Sequence, residues 1–384
     1  MTWTDIAIID PSGNWVAQLE RPSRVQMTSR LQDDPAAVVK AVEDQLDLEV
    51  SFIRFVNGFV ETEYRGPFDG LTWKPRTGDG SSERAPWERA GWIDEVLHRI
   101  DPPLAKQGLA RHGLPIDARR TFISAILKVR TECRDVWYKE YRSLFRREPH
   151  VVEWLAKHVG AAVPGVLAAG DTWWLAEEFP EERPQAVEDP LEALARVQIA
   201  TSGRGDEIVA LGCPEWTLGQ IVSRAAAVSE RDDLIGREDA NLIRSLLSRL
   251  EYAAEMVDRT GIPNTIVHGD FHSENVRWTD IGWFLFDWTD ACVAHPFIDL
   301  AVALRYESVG SRAQRSAAYE AVWSEAFPRE NVRRALKFTD AIGAAFQLVN
   351  YAEIIDSFEH PVNEGESLAL RDWVRRIEAS LTSN

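Results

Sequence analysis

The spacing of apolar residues changes several times along this chain, and the changes divide it. Strand-like stretches at residues 6–9 and 52–60 flank a helical stretch at 36–46, which predicts a small α/β unit over residues 1–67. Residues 68–85 are rich in Gly, Pro, Ser, Thr and Asp, as in Thr77-Gly78-Asp79-Gly80-Ser81-Ser82. Such residues favour turns and bury little apolar surface, so a linker is expected there. Trp92, Ile93, Val96, Leu97 and Ile100 then recur at helical spacing. From Thr121 the period drops to two: Ile123, Ala125, Leu127 and Val129 alternate with Ser124, Ile126, Lys128 and Arg130. A polar break at Thr131-Glu132-Cys133-Arg134-Asp135 precedes a second such run at 136–141, so the pair predicts an antiparallel hairpin. Val151, Val152, Leu155 and Val159 share one helical face, and Trp173-Trp174-Leu175-Ala176 reads as a further strand, completing a small α+β lobe over 86–180. Residues 181–384 read as largely helical, with a helix at 241–259 stopped by Gly261-Ile262-Pro263. Two short strand-like runs interrupt them, Thr265-Ile266-Val267 and Trp283-Phe284-Leu285-Phe286.

Composition narrows the class. With 45% hydrophobic and 27% charged residues in 384, the chain reads as a globular protein of more than one domain. No basic leader with an apolar core, and no apolar run long enough to span a bilayer, is seen, which predicts a cytoplasmic protein that does not enter membranes. Three scattered cysteines suggest neither a disulfide framework nor a cysteine zinc site. A formal charge of -18 opposes nucleic-acid binding. It says nothing about oligomeric state.

The chemistry-bearing residues sit at the ends of the two late strands. Val267-His268-Gly269-Asp270-Phe271-His272-Ser273-Glu274-Asn275-Val276, then Phe286-Asp287-Trp288, place an Asp, an Asn and a second Asp on loops beside strands. Phosphoryl transfer needs a group that accepts the acceptor hydroxyl's proton, and oxygen ligands for Mg²⁺ beside the phosphates. Asp270 suits the first role; Asn275 and Asp287 suit the second. His268 and His272 could instead join Asp270 in a transition-metal site, although a histidine at a strand end is more simply satisfied by backbone.

Here the sequence resembles the aminoglycoside phosphotransferase and choline kinase superfamily, relatives of protein kinases. The match runs through His268-Gly269-Asp270, Asn275, Asp287-Trp288 and His295-Pro296-Phe297-Ile298-Asp299-Leu300. The resemblance implies an α+β, two-lobed protein-kinase-like fold, with a small β-rich N-lobe (86–180) and a helical C-lobe (181–384), the α/β unit being extra. It implies ATP and Mg²⁺ as cofactors and a small-molecule hydroxyl as acceptor. Asp270 matches the family's catalytic base, Asn275 and Asp287 its metal ligands, and Asp299 a structural carboxylate. Lys139 becomes the phosphate-contacting lysine, Glu148 its partner, and Glu177-Glu178-Phe179 the hinge that reads adenine. The acidic pairs Glu181-Glu182 and Glu188-Asp189 suit an amine-bearing acceptor. The turn at residues 131–135 carries no glycine, which motivates an alternative, a nucleotide-binding pseudokinase that binds a partner. The stretch Ala36–Leu48 resembles a Nudix-like helix, but Lys40-Ala41 and Asp44-Gln45 stand where that family carries Arg-Glu and Glu-Glu, which implies a non-catalytic accessory unit.

Overall fold

A computed structural model describes residues 2–12, 15–18, 24–27, 34–56, 59–66, 71–75, 85–184, 186–358 and 364–382. By contacts the chain divides into two compact units, one of residues 1–146 and 165–179, the other of 147–164 and 180–384.

The first unit holds two sheets. Strands β1 (Thr2–Ile9), β2 (Trp15–Gln18), β3 (Arg24–Met27), β4 (Val50–Val56), β5 (Phe59–Tyr64) and β6 (Thr72–Pro75) form one, in the order β4-β5-β1-β2-β6 with β3 also on β1. Helix α1 (Pro35–Leu46) begins where Asp34 accepts the Ala37 N–H at 3.1 Å, and its Val38 and Val42, one turn apart, pack on Ile6, Ile8, Val25 and Val60. The run expected as one strand at 52–60 is instead two antiparallel strands, β4 and β5, with Val56 opposite Phe59. Asn57-Gly58, which lie outside the described residues, are the dipeptide most typical of two-residue hairpins, a signal that the apolar count overrode. Part of the expected linker also pairs: β6 lies antiparallel to β2. Residues 68–70 and 76–84 of the linker lie outside the described residues.

The second sheet runs β10 (Val166–Ala169), β11 (Trp173–Ala176), β9 (Asp135–Tyr141), β8 (Ser124–Arg130), β7 (Ile116–Arg120). The hairpin β8–β9 has the expected register, with Leu127 opposite Tyr138. One face carries Ala125, Leu127, Val129, Val136 and Tyr138, all buried under Trp92, Ile93, Val96, Ile100 and Leu104 of α2 (Trp92–Lys106). Strand β7 escapes a periodicity reading because its buried residue is Asp117, paired with Arg120 at 2.6 Å. Arg120 also donates to the Trp87 and Ile53 carbonyls at 2.5 and 3.2 Å, with its guanidinium over Trp92 and Phe52. Arg65 reaches the half-exposed Asp94 of α2 at 2.9 Å, a second polar tie beside the buried Arg120.

The second unit is mainly helical: α3 (Glu148–His158), α4 (Pro190–Ala200), α5 (Gly205–Ala210), α6 (Leu218–Val228), α7 (Asp232–Ile235), α8 (Arg237–Asp258), α9 (Leu300–Ala303), α10 (Val309–Ala326), α11 (Arg329–Ser357) and α12 (Glu364–Thr382). Caps set several starts, as where Asp189 and Glu192 exchange side-chain bonds with backbone N–H groups at α4. Helix α11 is the pillar, buried on most sides among α6, α8, α9 and α12. Gly343 lets it approach closely, since a Cβ there would lie 2.7 Å from the Ala301 Cβ and 2.8 Å from the Ile298 carbonyl oxygen. Strand β12 (Thr265–Val267) pairs with β15 (Cys292–Ala294), and β13 (Val276–Thr279) with β14 (Gly282–Leu285), which holds the loops between them in one place. No helix among the described residues is long and apolar enough to cross a membrane.

Candidate active site

The segment after β12 is a backbone turn held by a buried carboxylate. Asp299, 1% exposed, accepts the His268 N–H at 3.0 Å, the Gly269 N–H at 2.8 Å and the Gln198 amide at 2.9 Å. His268 is wholly buried; its Nε2–H donates to the Phe286 carbonyl at 3.0 Å while its Nδ1 accepts the Asp270 N–H at 3.4 Å. Burial lowers its pKa and keeps the ring neutral. It is therefore satisfied by backbone, and among the described residues no cluster of three or more His, Cys, Asp or Glu suited to a metal is found. Gly269 sits at φ +85°, where a Cβ would come within 2.6 Å of the Asp290 carbonyl oxygen.

This turn presents Asp270 with its side chain 45% exposed. Oδ2 of Asp270 lies 3.4 Å from His272 Nε2 and 3.5 Å from the Asn275 amide nitrogen, whereas Oδ1 accepts no hydrogen bond among the described residues. A side-chain hydrogen bond to Asp270 raises the His272 pKa. Asn275 is 5% exposed, and its amide nitrogen donates to the Asp270 carbonyl at 2.8 Å. That fixes the amide so that Oδ1, a hard oxygen donor, is not consumed by the described protein.

The β13–β14 hairpin brings the second ligand candidate beside the first. The Phe286 N–H donates to the Asn275 carbonyl at 3.1 Å, and Asp287 follows directly in a left-handed conformation, φ 63°. Its Oδ1 accepts from the Thr289 hydroxyl at 2.5 Å, and that hydroxyl lies 3.2 Å from Glu148 Oε2. Glu148 is thus a buried neighbour of this loop, as is Arg147, whose Nε donates to the Ala291 carbonyl at 2.8 Å. The oxygen-only donor set of Asn275 and Asp287, next to the carboxylates of Asp270 and Asp290, fits Mg²⁺.

Asp290 was not legible as part of the site. Its residue keeps some surface, but its carboxyl group is enclosed, and desolvation, with the charge of Asp270, pushes its pKa up to about 7 despite Arg147. Burial likewise pushes Asp299 up to about 7 against its three N–H donors. Between an unfolded value of roughly 4 and about 7 the folded chain therefore holds protons that the unfolded chain releases. This contribution to stability is complete below the lower value and lost as pH rises through the upper one, at up to about 1.4 kcal/mol per pH unit per group. Without Mg²⁺, the melting temperature of the parent should fall more, or rise less, between pH 5 and pH 8 than that of Asp290→Asn. A slope identical in the variant would remove Asp290 as its source.

Lys139, Glu177 and Phe179 lie in the first unit. Lys139 on β9 is 8% exposed and opposes Trp174 of β11 and Ile126 of β8. By strand alternation it points away from Tyr138 and Glu140, which face α2, where Glu140 accepts from Trp92 Nε1 at 2.7 Å. Trp137, on the Lys139 face, packs its ring 5.9 Å from Phe179. Glu177 donates its N–H to Gly165 at 2.8 Å and pairs with Arg134 at 3.4 Å. The glycine-free turn is closed by Thr131, whose hydroxyl oxygen accepts the Cys133 and Arg134 N–H groups at 3.4 and 3.2 Å. The acidic pairs expected to face an amine are largely spent on arginine: Glu188 meets Arg196 at 2.8 Å, Asp189 meets Arg315 at 3.1 Å, and Glu181 meets Arg183 at 3.5 Å.

No curated protein matches the sequence. Solved structures do match the fold. An ethanolamine kinase from Plasmodium vivax has a TM-score of 0.54 at 10% identity, covering 76% of this chain and 89% of that one. A macrolide 2'-phosphotransferase type I has a TM-score of 0.50 at 19% identity, covering 73% and 97%. A thermostable mutant of an aminoglycoside phosphotransferase, APH(4)-Ia, in a ternary complex with ADP and hygromycin B, has a TM-score of 0.51 at 14% identity, covering 74% and 98%. The α+β architecture, β-rich toward the N-terminus and helical beyond, is thus protein-kinase-like. Residues 139–335, more than half of the chain, match the model of the phosphotransferase enzyme family APH, and the chain belongs to that family.

Proposed function

We propose that the protein transfers the γ-phosphoryl group of ATP to a hydroxyl of a small molecule. The observation that carries this reading is the pinning of Asn275 to the Asp270 carbonyl, which leaves an amide oxygen and the Asp287 carboxylate beside a half-exposed aspartate. In this reading Asp270 Oδ1 accepts the proton of the acceptor hydroxyl as its oxygen bonds to the γ-phosphorus, and the bond to the β–γ bridging oxygen breaks to release ADP. His272 and Asn275, on the other oxygen, keep the carboxylate turned toward the acceptor. Mg²⁺, when bound, neutralises charge on the phosphates, and Asn275 Oδ1 and Asp287 would hold it. Thr289 fixes the Asp287 rotamer.

Lys139 is proposed to contact the phosphates and Glu148 to partner it, with Glu177 and Phe179 at the adenine-reading segment. Because Thr131 takes two turn N–H groups, those groups are spent before a phosphate arrives, which puts the burden on Lys139 and the metal. The α/β unit over 1–67 is proposed as a non-catalytic accessory. ADP and hygromycin B in the relative's complex, and ethanolamine in another's name, favour a nucleotide donor and a hydroxylated, amine-bearing acceptor. The test is transfer of label from γ-labelled ATP with Mg²⁺ across aminoglycosides, macrolides, choline, ethanolamine, homoserine and sugars. Label on one acceptor class is expected. Nucleotide binding with no transfer to any of them would favour the pseudokinase reading.

A further inference from the structure

We infer that Gln347 and Asn350 of α11 are positioning residues for the phosphotransfer proposed above, on which this inference rests: they lock the loop that aims Asp270. Gln347 is 3% exposed in the run Ala344-Ala345-Phe346-Gln347-Leu348-Val349, otherwise wholly apolar. A buried amide is costly unless bonded, and a leucine would fill the same space without that cost. The amide is used: Nε2 donates to the Gly269 carbonyl at 2.6 Å.

That carbonyl belongs to the peptide group joining Gly269 to Asp270. The other end of the same planar group, the Asp270 N–H, is held by His268 Nδ1 at 3.4 Å. With both ends of a rigid plane pinned, the position of the Asp270 Cα is set, and the Asn275 amide, donating to the Asp270 carbonyl at 2.8 Å, holds the backbone on its other side. The N-terminal side of Gly269 is held separately by Asp299. Without Gln347, one edge of this plane has no partner and is free to rotate.

One helical face supplies the grip. Gly343, Gln347 and Asn350 follow at spacings of four and three, the period of a single helical stripe. Gly343 brings the helix against Ile298 and Ala301, Gln347 reaches the catalytic turn, and the Asn350 amide nitrogen lies 3.4 Å from Asp290 Oδ1 on the neighbouring loop. Asp290 in turn abuts Gly269. The long Asn350 contact is the weaker of the two.

The test is Gln347→Leu in the full chain, read by backbone hydrogen exchange over residues 267–276 without nucleotide, and by steady-state kinetics with Mg·ATP and the acceptor found by the transfer screen. Exchange over 267–276 should rise about tenfold or more while α11 keeps its protection. kcat should fall roughly 10- to 100-fold, with the KM for Mg·ATP changed by less than about threefold, because aim is lost and binding is not. Asn350→Ala should give the same pattern at a few-fold amplitude. If Gln347→Leu does not fold, Gln347→Met, which keeps the length of the side chain, takes its place. Exchange over 267–276 equal to that of the parent protein, or kcat unchanged, would overturn the inference. A parent protein that transfers no phosphate would instead defeat the proposed function, and the exchange result would still decide the positioning role.

Discussion

Asp270→Asn is expected to lower phosphate transfer about 10²- to 10⁴-fold while nucleotide affinity stays within a few-fold of the parent. The substitution keeps shape and removes the basic oxygen proposed to face the acceptor. Because Oδ1 takes no hydrogen bond from the described protein, the change leaves no buried donor unpaired, and stability should move little. The measurement is kcat, KM and a melting curve on the same preparation. Activity that survives would move the base elsewhere; His272, whose pKa is raised by Asp270, would be the first residue to examine.

Gly269→Ala should be the most damaging single methyl group in the site. At φ +85° a side chain is strained, and the added carbon would meet backbone, the Asp290 carbonyl oxygen at 2.6 Å, which cannot swing away as a flexible side chain would. The strain and the clash together should cost about 2–5 kcal/mol, read by urea unfolding. Relief by displacement of either loop would also misalign Asp270 against Asp287, so activity should fall further than the lost stability explains. A variant with parental stability and turnover would show that the two loops are not in close contact.

The turn around Asp270 was legible because the roles proposed for it demand particular side-chain types at short spacing, and because apolar strands on either side announce where it starts. Asp270, Asn275 and Asp287 therefore emerged together, and β12–β15 and β13–β14 account for their proximity. What stayed hidden was most of the supporting layer. Asp299, implied by the resemblance as a structural carboxylate, bonds this short stretch of backbone from 30 residues away, but Gln347, which bonds the Gly269 carbonyl from 78 residues away, and Gln198, which bonds the Asp299 carboxylate from 101, left no trace in the sequence spacing. A polar residue inside an apolar helical run was the available signal at Gln347. Glu148 was expected only as a partner for Lys139; its contact with Thr289, two residues past Asp287, could not be read from the chain. In the first unit, β7 was missed because its inward residue is a charged Asp117, and β4–β5 were fused because the apolar run continues on both sides of the reversal.

The fate of the terminal phosphate of ATP tests the central claim most directly: that Asp270, Asn275 and Asp287 act on one metal-bound phosphate. With Mg²⁺ present, label from γ-labelled ATP should appear on the acceptor in the parent protein, and it should vanish both on chelation and in Asp287→Asn. Label transfer that persists in Asp287→Asn at the parental rate and parental Mg²⁺ requirement would contradict it.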